Sequence, residues 1–110
     1  MADHIDQIAL NELKMIMEND FDLLITTFVT DSQERIKTLK QAVAAGDATA
    51  VRASAHSFKG SSLNICAPLL SELCRQLEAE GKEGQLISAS DLLASIETEF
   101  DAVCSSLGSL

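Results

Sequence analysis

The chain is poor in the residues on which β-sheet proteins rely. It has no tryptophan, no tyrosine, one proline and five glycines in 110 residues, and its only aromatic residues are four phenylalanines. Sheets favour aromatic and β-branched residues and need many Gly- and Pro-based turns. The plentiful leucine, alanine, glutamate and isoleucine suit helices better. This composition therefore predicts an all-α fold.

Basic residues are also scarce, with eight Lys and Arg against seventeen Asp and Glu and a net charge of −9. Such a balance argues against nucleic acid or an anionic membrane as the main partner. No apolar run approaches the roughly 20 residues of a membrane span. The segment 1–4 has neither the basic region nor the apolar core of a signal peptide. We therefore expect a cytoplasmic protein.

Few residues are available to bind a metal. The three cysteines, Cys66, Cys74 and Cys104, are an odd number without CxxC spacing, which favours separate buried thiols over a disulfide framework or a zinc site. Metal- or haem-binding bundles need several inward-facing ligands, but this chain has only His4 and His56. We expect no metal site.

Apolar periodicity predicts the helices. A short N-terminal helix should cover 6–17, with an apolar side made of Ile8, Leu13, Ile16 and Met17. Asn19 and Asp20 offer a break and a cap. A long second helix should end at Ala45 and Gly46, and its apolar positions are Phe21, Leu24, Ile25, Phe28, Ser32, Ile36, Leu39 and Val43.

Three further helices are predicted. Asp47 can cap a helix over 48–65, and Pro68 suits the first turn of the next, whose apolar residues are Leu70, Leu73, Cys74 and Leu77. Residues 81–84 should form a turn. The last helix repeats apolar residues at Leu86, Ala89, Leu93, Ile96, Phe100, Val103 and Leu107. Short connections predict an antiparallel up-down four-helix bundle with a short additional N-terminal helix, as one domain over 1–110.

One histidine lies in an unusual helical setting. His56 has Lys59 three positions and Gly60 four positions further along, so both should lie beside it on the helix surface. Glycine inside a helix costs about 1 kcal/mol relative to alanine. Access for a partner to the imidazole would explain that cost.

The third predicted helix has two distinct sides. At 100° per residue the side opposite His56, which should face the core, holds Val51, Ser54, Phe58, Ser61 and Ile65. The outer face holds Thr49, Arg52, Ala53, His56, Lys59, Gly60 and Leu63. Small residues and an outward leucine around one imidazole are typical of a docking surface.

The neighbours of His56 indicate its chemistry. An exposed imidazole keeps a free ring nitrogen near neutral pH and can act as a nucleophile, a general base or a metal ligand. A lysine cation beside it disfavours a metal and favours an anion such as a phosphoryl group. Arg52, one turn earlier, adds positive charge to this patch.

The segment His56-Ser57-Phe58-Lys59-Gly60-Ser61-Ser62 resembles the HxxKGxS signature of histidine-containing phosphotransfer (HPt) domains. The similarity extends over most of the chain and is closest to small, stand-alone bacterial members. It implies a phosphorelay intermediate. Such a protein takes a phosphoryl group from a receiver-domain aspartate of a hybrid sensor kinase and passes it to the aspartate of a response regulator.

The resemblance also implies roles for single residues. His56 would be the phosphoacceptor through Nε2, Lys59 would stabilise phosphoryl charge, and Gly60 would let the receiver come close. Ser61 and Ser62 would serve helix packing. The chain would bind no cofactor of its own, because the receiver is expected to supply Mg²⁺ and the remaining catalytic groups. It would be a monomeric carrier without kinase activity.

Three positions depart from the family pattern. Many members have a small residue in place of Leu63 and a glycine in place of Cys66. Many also have a glutamine where Glu78 stands, so a hydrogen bond between the imidazole and Glu78 is in doubt, and an ordinary surface carboxylate is the favoured interpretation. We expect Arg52, Ala53, Leu63 and Glu78 to contact the partner.

Two other functions compete with the phosphorelay. A histidine-kinase dimerisation domain usually has an acidic residue directly after its histidine, whereas Ser57 stands here, and no length remains for an ATP-binding domain. A helical adaptor could bind partners through the Leu63 face without phosphorylation of His56.

Overall fold

Five helices account for most of the computed structural model, which describes residues 3–108. They are α1 (Gln7–Met17), α2 (Phe21–Ala45), α3 (Ala48–Asn64), α4 (Pro68–Glu83) and α5 (Ala89–Gly108), with a short 3₁₀ turn over Glu18–Asp20. The described residues contain no strand. In the bundle, α2 and α4 each pack against both α3 and α5. The predicted four-helix bundle with a short leading helix is confirmed.

Capping residues set most helix boundaries where the sequence predicts them. Gly46 ends α2 with a left-handed φ of 68°, and the Asp47 side chain accepts a hydrogen bond from the Ala50 amide at 3.1 Å. Pro68 occupies the first turn of α4. The main difference at these boundaries is that α3 ends at Asn64, one residue before the predicted end.

The predicted turn over 81–84 is wrong, because α4 continues to Glu83 and only Gly84 adopts the left-handed cap, with φ at 75°. Gly81 lies inside the helix and is buried against α3. A β-carbon added at Gly81 would lie 2.7 Å from the Arg52 amide nitrogen and 2.8 Å from the Ala48 carbonyl oxygen. The absence of a side chain therefore lets the α3 and α4 backbones approach closely.

The N-terminal helix buries only part of the predicted apolar side. Ile8 and Ile16 are 76% and 79% exposed, whereas Leu10 is fully buried. Leu13 and Met17 are partly buried against the core. Because α1 packs on the bundle through only one side, it leaves three large apolar side chains in solvent, those of Ile8, Met15 and Ile16.

Two other local predictions need correction. The Asp20 side chain makes no capping hydrogen bond, and the break before α2 comes from Glu18, whose φ of 51° is left-handed. Leu86 precedes α5 rather than lying in it. The loop that contains it is held by the Glu80 carboxylate, which accepts hydrogen bonds from the Ser88 amide at 2.9 and 3.1 Å.

One hydrophobic core joins the helices. Phe100 of α5 lies at its centre, with ring centroids 6.1 Å from Phe28 of α2 and 6.4 Å from Phe58 of α3. Such tilted and edge-on ring pairs add to the stabilisation from buried area. The largest fully buried side chains are Phe58, Leu10, Leu39, Ile65, Leu70, Leu77, Ile96, Val51, Val103, Cys74, Ser32 and Ser62.

The segment before α1 is fastened to the bundle at three points. The Asp6 amide donates to the Cys66 carbonyl at 2.8 Å, and Ile5 is only 2% exposed. His4 donates from Nδ1 to the Glu99 carboxylate on α5 at 2.7 Å. These contacts link the N-terminal segment to the α3–α4 corner and to α5.

The two glycines inside α3 and α4 should respond oppositely to alanine substitution. We expect Gly81→Ala to lower the free energy of unfolding by about 2 kcal/mol, because the new methyl group would overlap the α3 backbone. Gly60→Ala should raise it by about 1 kcal/mol, because a β-carbon there meets no neighbouring helix among the described residues within 4 Å and alanine favours helix. Urea unfolding would measure both; equal changes would contradict this account of the helix contact.

Cys66 carries a conformational cost that glycine would remove. Its φ of 63° lies in the left-handed region, which costs a residue with a side chain about 1–2 kcal/mol. We expect Cys66→Gly to stabilise the protein by about 1 kcal/mol in thermal or urea unfolding. Cys66→Ala is the matched control, since it removes the thiol but keeps the β-carbon, and it should give no such gain.

Candidate functional site

His56 lies on α3 with a largely exposed side chain. Its side chain is 67% exposed, and Arg52, Ala53 and Leu63 are exposed on the same side of the helix. The predicted outer face of α3 is confirmed for these residues. Lys59 and Gly60 are half-buried, so the face is shielded on the side towards Lys59.

The buried side of α3 differs in part from the prediction. Val51, Phe58 and Ile65 are buried as expected, but Ala55 and Ser62 are fully buried too, while Ser54 and Ser61 are only half-buried. Small residues give a weak periodic signal, so the sequence did not reveal this rotation of the buried side. The Ser61 and Ser62 hydroxyls donate to the Phe58 carbonyl at 3.1 and 2.7 Å, which agrees with the packing role expected for them.

Glu78 of α4 connects His56 with Lys59. Its Oε2 accepts a hydrogen bond from His56 Nδ1 at 2.7 Å, and its Oε1 forms an ion pair with Lys59 Nζ at 2.7 Å. The Glu78 side chain is only 18% exposed. The favoured interpretation of Glu78 as an ordinary surface carboxylate is therefore wrong, and the doubtful hydrogen bond to the imidazole is present.

A signal for this contact exists in the sequence. Glu78 precedes Gly81 by three residues, so the two lie on one side of a continuous helix. The prediction of a turn at Gly81 broke that helix and concealed the relationship. With Gly81 placed inside α4 against α3, Glu78 faces α3 as well.

The contact with Glu78 fixes the imidazole tautomer. A carboxylate only accepts hydrogen bonds, so the short contact requires a proton on His56 Nδ1. In the neutral ring Nε2 then carries the lone pair. The pKa of the Glu78 carboxyl lies below its ordinary value, mainly because Lys59 stabilises the charged form. His56 adds to this effect, and burial opposes it. The carboxylate is thus charged at neutral pH and orients the imidazole through Nδ1, so that Nε2 points away from Glu78.

Lys59 differs from the free cation that the sequence suggested. Its side chain is 28% exposed, and its ammonium group lies on Glu78. The Lys59 backbone carbonyl also accepts a hydrogen bond from Ser71 Oγ at 3.3 Å, which ties α3 to α4 at the site. The positive charge next to His56 is therefore neutralised by a partner within the chain.

Gly60 has no packing reason to be glycine. A β-carbon added there would meet no other described part of the protein within 4 Å, apart from the backbone of its own helix turn, and the residue lies in a regular part of α3. The fold would accept alanine at this position, yet the chain has glycine, which weakens a helix. The open space beside His56 is therefore a property of the surface and not of the core.

Comparison with known proteins identifies the family. A model of the Hpt domain family matches residues 23–106. The chain belongs to the Hpt domain family. This Hpt domain is 41% identical to histidine-containing phosphotransfer protein B (HptB) from Pseudomonas aeruginosa PAO1, a solved crystal structure, with a TM-score of 0.95 over 99% of this chain and 95% of that one. No curated protein matches.

The family match and the structural neighbour establish the general function. This Hpt domain is a histidine phosphotransfer protein of a phosphorelay, and proteins of this family act as phosphoryl carriers that work with receiver domains. The adaptor and kinase-dimerisation alternatives are not favoured by either comparison. The family match begins within α2 and does not include α1.

The surface around His56 offers a further cation and an apolar contact. An open cavity of 390 Å³ beside the imidazole is lined by Thr49, Arg52, Ala53, His56 and Glu78. Within the described part of the chain Arg52 forms no ion pair. Leu63, 60% exposed, lies two turns further along α3 and borders a second cavity with Ala9 and Pro68.

The three cysteines are the other residues of this Hpt domain that the sequence singled out. The cysteines are free; Cys74 is buried, and Cys66 and Cys104 are half-buried. Burial, and secondarily Glu78, raise the pKa of the Cys74 thiol to about 12.

Over residues 3–108 no group of three or more His, Cys, Asp or Glu side chains could hold a metal ion. No described helix is long and apolar enough to cross a membrane.

Proposed function

We propose that His56 is the phosphoacceptor of this Hpt domain and that it reacts through Nε2. The observation that supports this assignment is the hydrogen bond from Nδ1 to Glu78, which leaves the lone pair on the exposed nitrogen. His4 is the other histidine of the chain, and it lies outside the signature.

The transfer follows from this geometry. The Nε2 lone pair attacks the phosphorus of a receiver aspartyl phosphate, and the bond from phosphorus to the aspartate oxygen breaks, with its electron pair leaving on the carboxylate. The Nδ1 proton stays on the ring beside Glu78. Onward transfer reverses these steps towards the aspartate of a second receiver, for which the neutral imidazole is the leaving group.

Charge and access complete the site. Phosphoryl transfer depends on in-line positioning and on neutralising charge on the equatorial oxygens. Lys59 and Arg52 can supply part of that charge from this chain, and we expect the partner receiver to supply Mg²⁺, with no cofactor bound here. In this proposal the chain is a carrier without kinase activity, and Gly60 leaves space for the receiver to reach His56.

The docking surface is proposed to centre on α3. Ala53 and Gly60 leave the imidazole uncovered, Arg52 offers a charge, and Leu63 offers an apolar contact at the edge. The partners would be receiver domains of hybrid sensor kinases and of a response regulator. We further propose that the chain acts as a monomeric single Hpt domain in the cytoplasm.

Loss of His56 should abolish labelling. When the protein is mixed with a ³²P-labelled receiver and Mg²⁺, we expect acid-labile, base-stable phosphate on the wild type and none on His56→Gln, because the nucleophile is gone. His4→Gln is the matched control and should be labelled like the wild type. Labelling that survives in His56→Gln would contradict the assignment, and absence of label on the wild type would favour an adaptor.

A larger side chain at Gly60 should slow transfer without unfolding the protein. We expect Gly60→Gln to reduce the transfer rate at least about tenfold, because the new side chain would occupy the space that the receiver needs. Circular dichroism should show an intact helical fold. Ala44→Gln, an equivalent enlargement at an exposed position of α2, should transfer at the wild-type rate. Equal rates for the two variants would refute the access role of Gly60.

A further inference from the structure

The Glu78 carboxylate serves two partners with separate oxygens. Oε2 accepts from His56, while Oε1 is paired with Lys59 at 2.7 Å. Glu78 Oε1 is buried and makes no well-aligned hydrogen bond, so the ion pair with Lys59 is its one compensating contact within the described residues. Any movement of the Lys59 ammonium away from Glu78 would leave this charged oxygen without a partner.

We propose that Glu78 holds Lys59 in the unphosphorylated state and competes with the phosphoryl group for it, and that this competition keeps the phosphohistidine from becoming too stable to pass its phosphoryl group on. This inference rests on the proposed function, because it assumes that His56 carries the phosphoryl group. It adds an internal competitor, Glu78, that acts through Lys59 and is therefore a positioning residue.

The competition follows from charge and reach. A phosphoryl group brings roughly two negative charges and three strong acceptor oxygens. Lys59 lies three residues from His56 on α3, and its flexible four-carbon chain lets the ammonium turn towards either anion. To neutralise the phosphoryl group, however, it must leave a buried carboxylate oxygen, and an unpaired buried charge is costly. Glu78 therefore reduces the stabilisation that Lys59 can give.

An amide at position 78 separates the two roles of the carboxylate. Glutamine has nearly the same shape, and its carbonyl oxygen can still accept a hydrogen bond from His56 Nδ1. It carries no charge, however, that could hold Lys59. Among residues 3–108 Arg52 has no ion pair to break, so its contribution to phosphoryl binding should not depend on residue 78. The effect of Glu78→Gln should therefore require Lys59.

A double-mutant cycle tests this dependence. The measured quantity is the equilibrium constant for sharing the phosphoryl group between the Hpt domain and a receiver, in the wild type, Glu78→Gln, Lys59→Gln and the double variant. In the wild-type background we expect Glu78→Gln to shift the equilibrium towards the phosphorylated Hpt domain about fivefold or more, because even ion pairs more exposed than this one can contribute that much. In the Lys59→Gln background the same change should stay within about twofold of no effect.

The small effect expected in the Lys59→Gln background follows from two opposing effects of Glu78 that do not involve Lys59. The Glu78 carboxylate repels the phosphoryl oxygens, but it also attracts the Nδ1 proton of the phosphorylated ring. Glu72→Gln is the matched control, since it removes one charge from the same helix at a carboxylate paired with Arg75, and it should leave the equilibrium unchanged.

Each outcome bears on the proposal. A shift of equal size in both backgrounds would show that Glu78 does not act through Lys59. No shift in either background would show that Glu78 does not compete with the phosphoryl group. Either result would overturn the inference. They leave the assignment of His56 intact, because all four proteins would still be labelled. If wild-type protein takes no phosphoryl group from the receiver, the proposed function itself fails.

Discussion

The close approach of α3 and α4 is the constraint on which the functional surface depends. Gly81 brings the α4 backbone against Ala48 and Arg52, and Ser71 binds the Lys59 carbonyl further along the same contact. Between these two points a carboxylate at Glu78 is close enough to reach both His56 and Lys59. A wider separation of the helices would leave the histidine as an ordinary exposed side chain without a fixed tautomer.

The site combines exposure with order. His56 projects into solvent, where a partner can meet it, yet its ring is oriented by a carboxylate that is largely covered by protein. The two glycines near this contact have opposite surroundings: Gly81 lies against the α3 backbone inside the protein, whereas Gly60 faces open space outside it. The orientation of the signature histidine therefore depends on Gly81, a glycine of α4 that lies outside the signature.

Two features far from the imidazole are unfavourable for the stability of the fold, namely a left-handed backbone angle and exposed apolar side chains. Cys66 adopts a left-handed conformation at the α3–α4 corner, the same corner at which its carbonyl binds the N-terminal segment. A φ of 63° favours glycine, which is the residue that the family resemblance implies at this position. The N-terminal helix packs through Leu10 and leaves Ile8 and Ile16 exposed, and it lies outside the region matched by the family model.

The sequence by itself determined the helical class, the number of bundle helices, the caps at Gly46 and Asp47, and the exposed position of His56. These features depend on contacts between residues a few positions apart, which periodicity and capping preferences report directly. Only the tertiary structure decided that Gly81 belongs inside α4, that Leu10 and not Ile8 anchors α1, and that Glu78 binds both His56 and Lys59. Each of these depends on how closely one helix approaches another, a distance that no spacing along a single helix specifies.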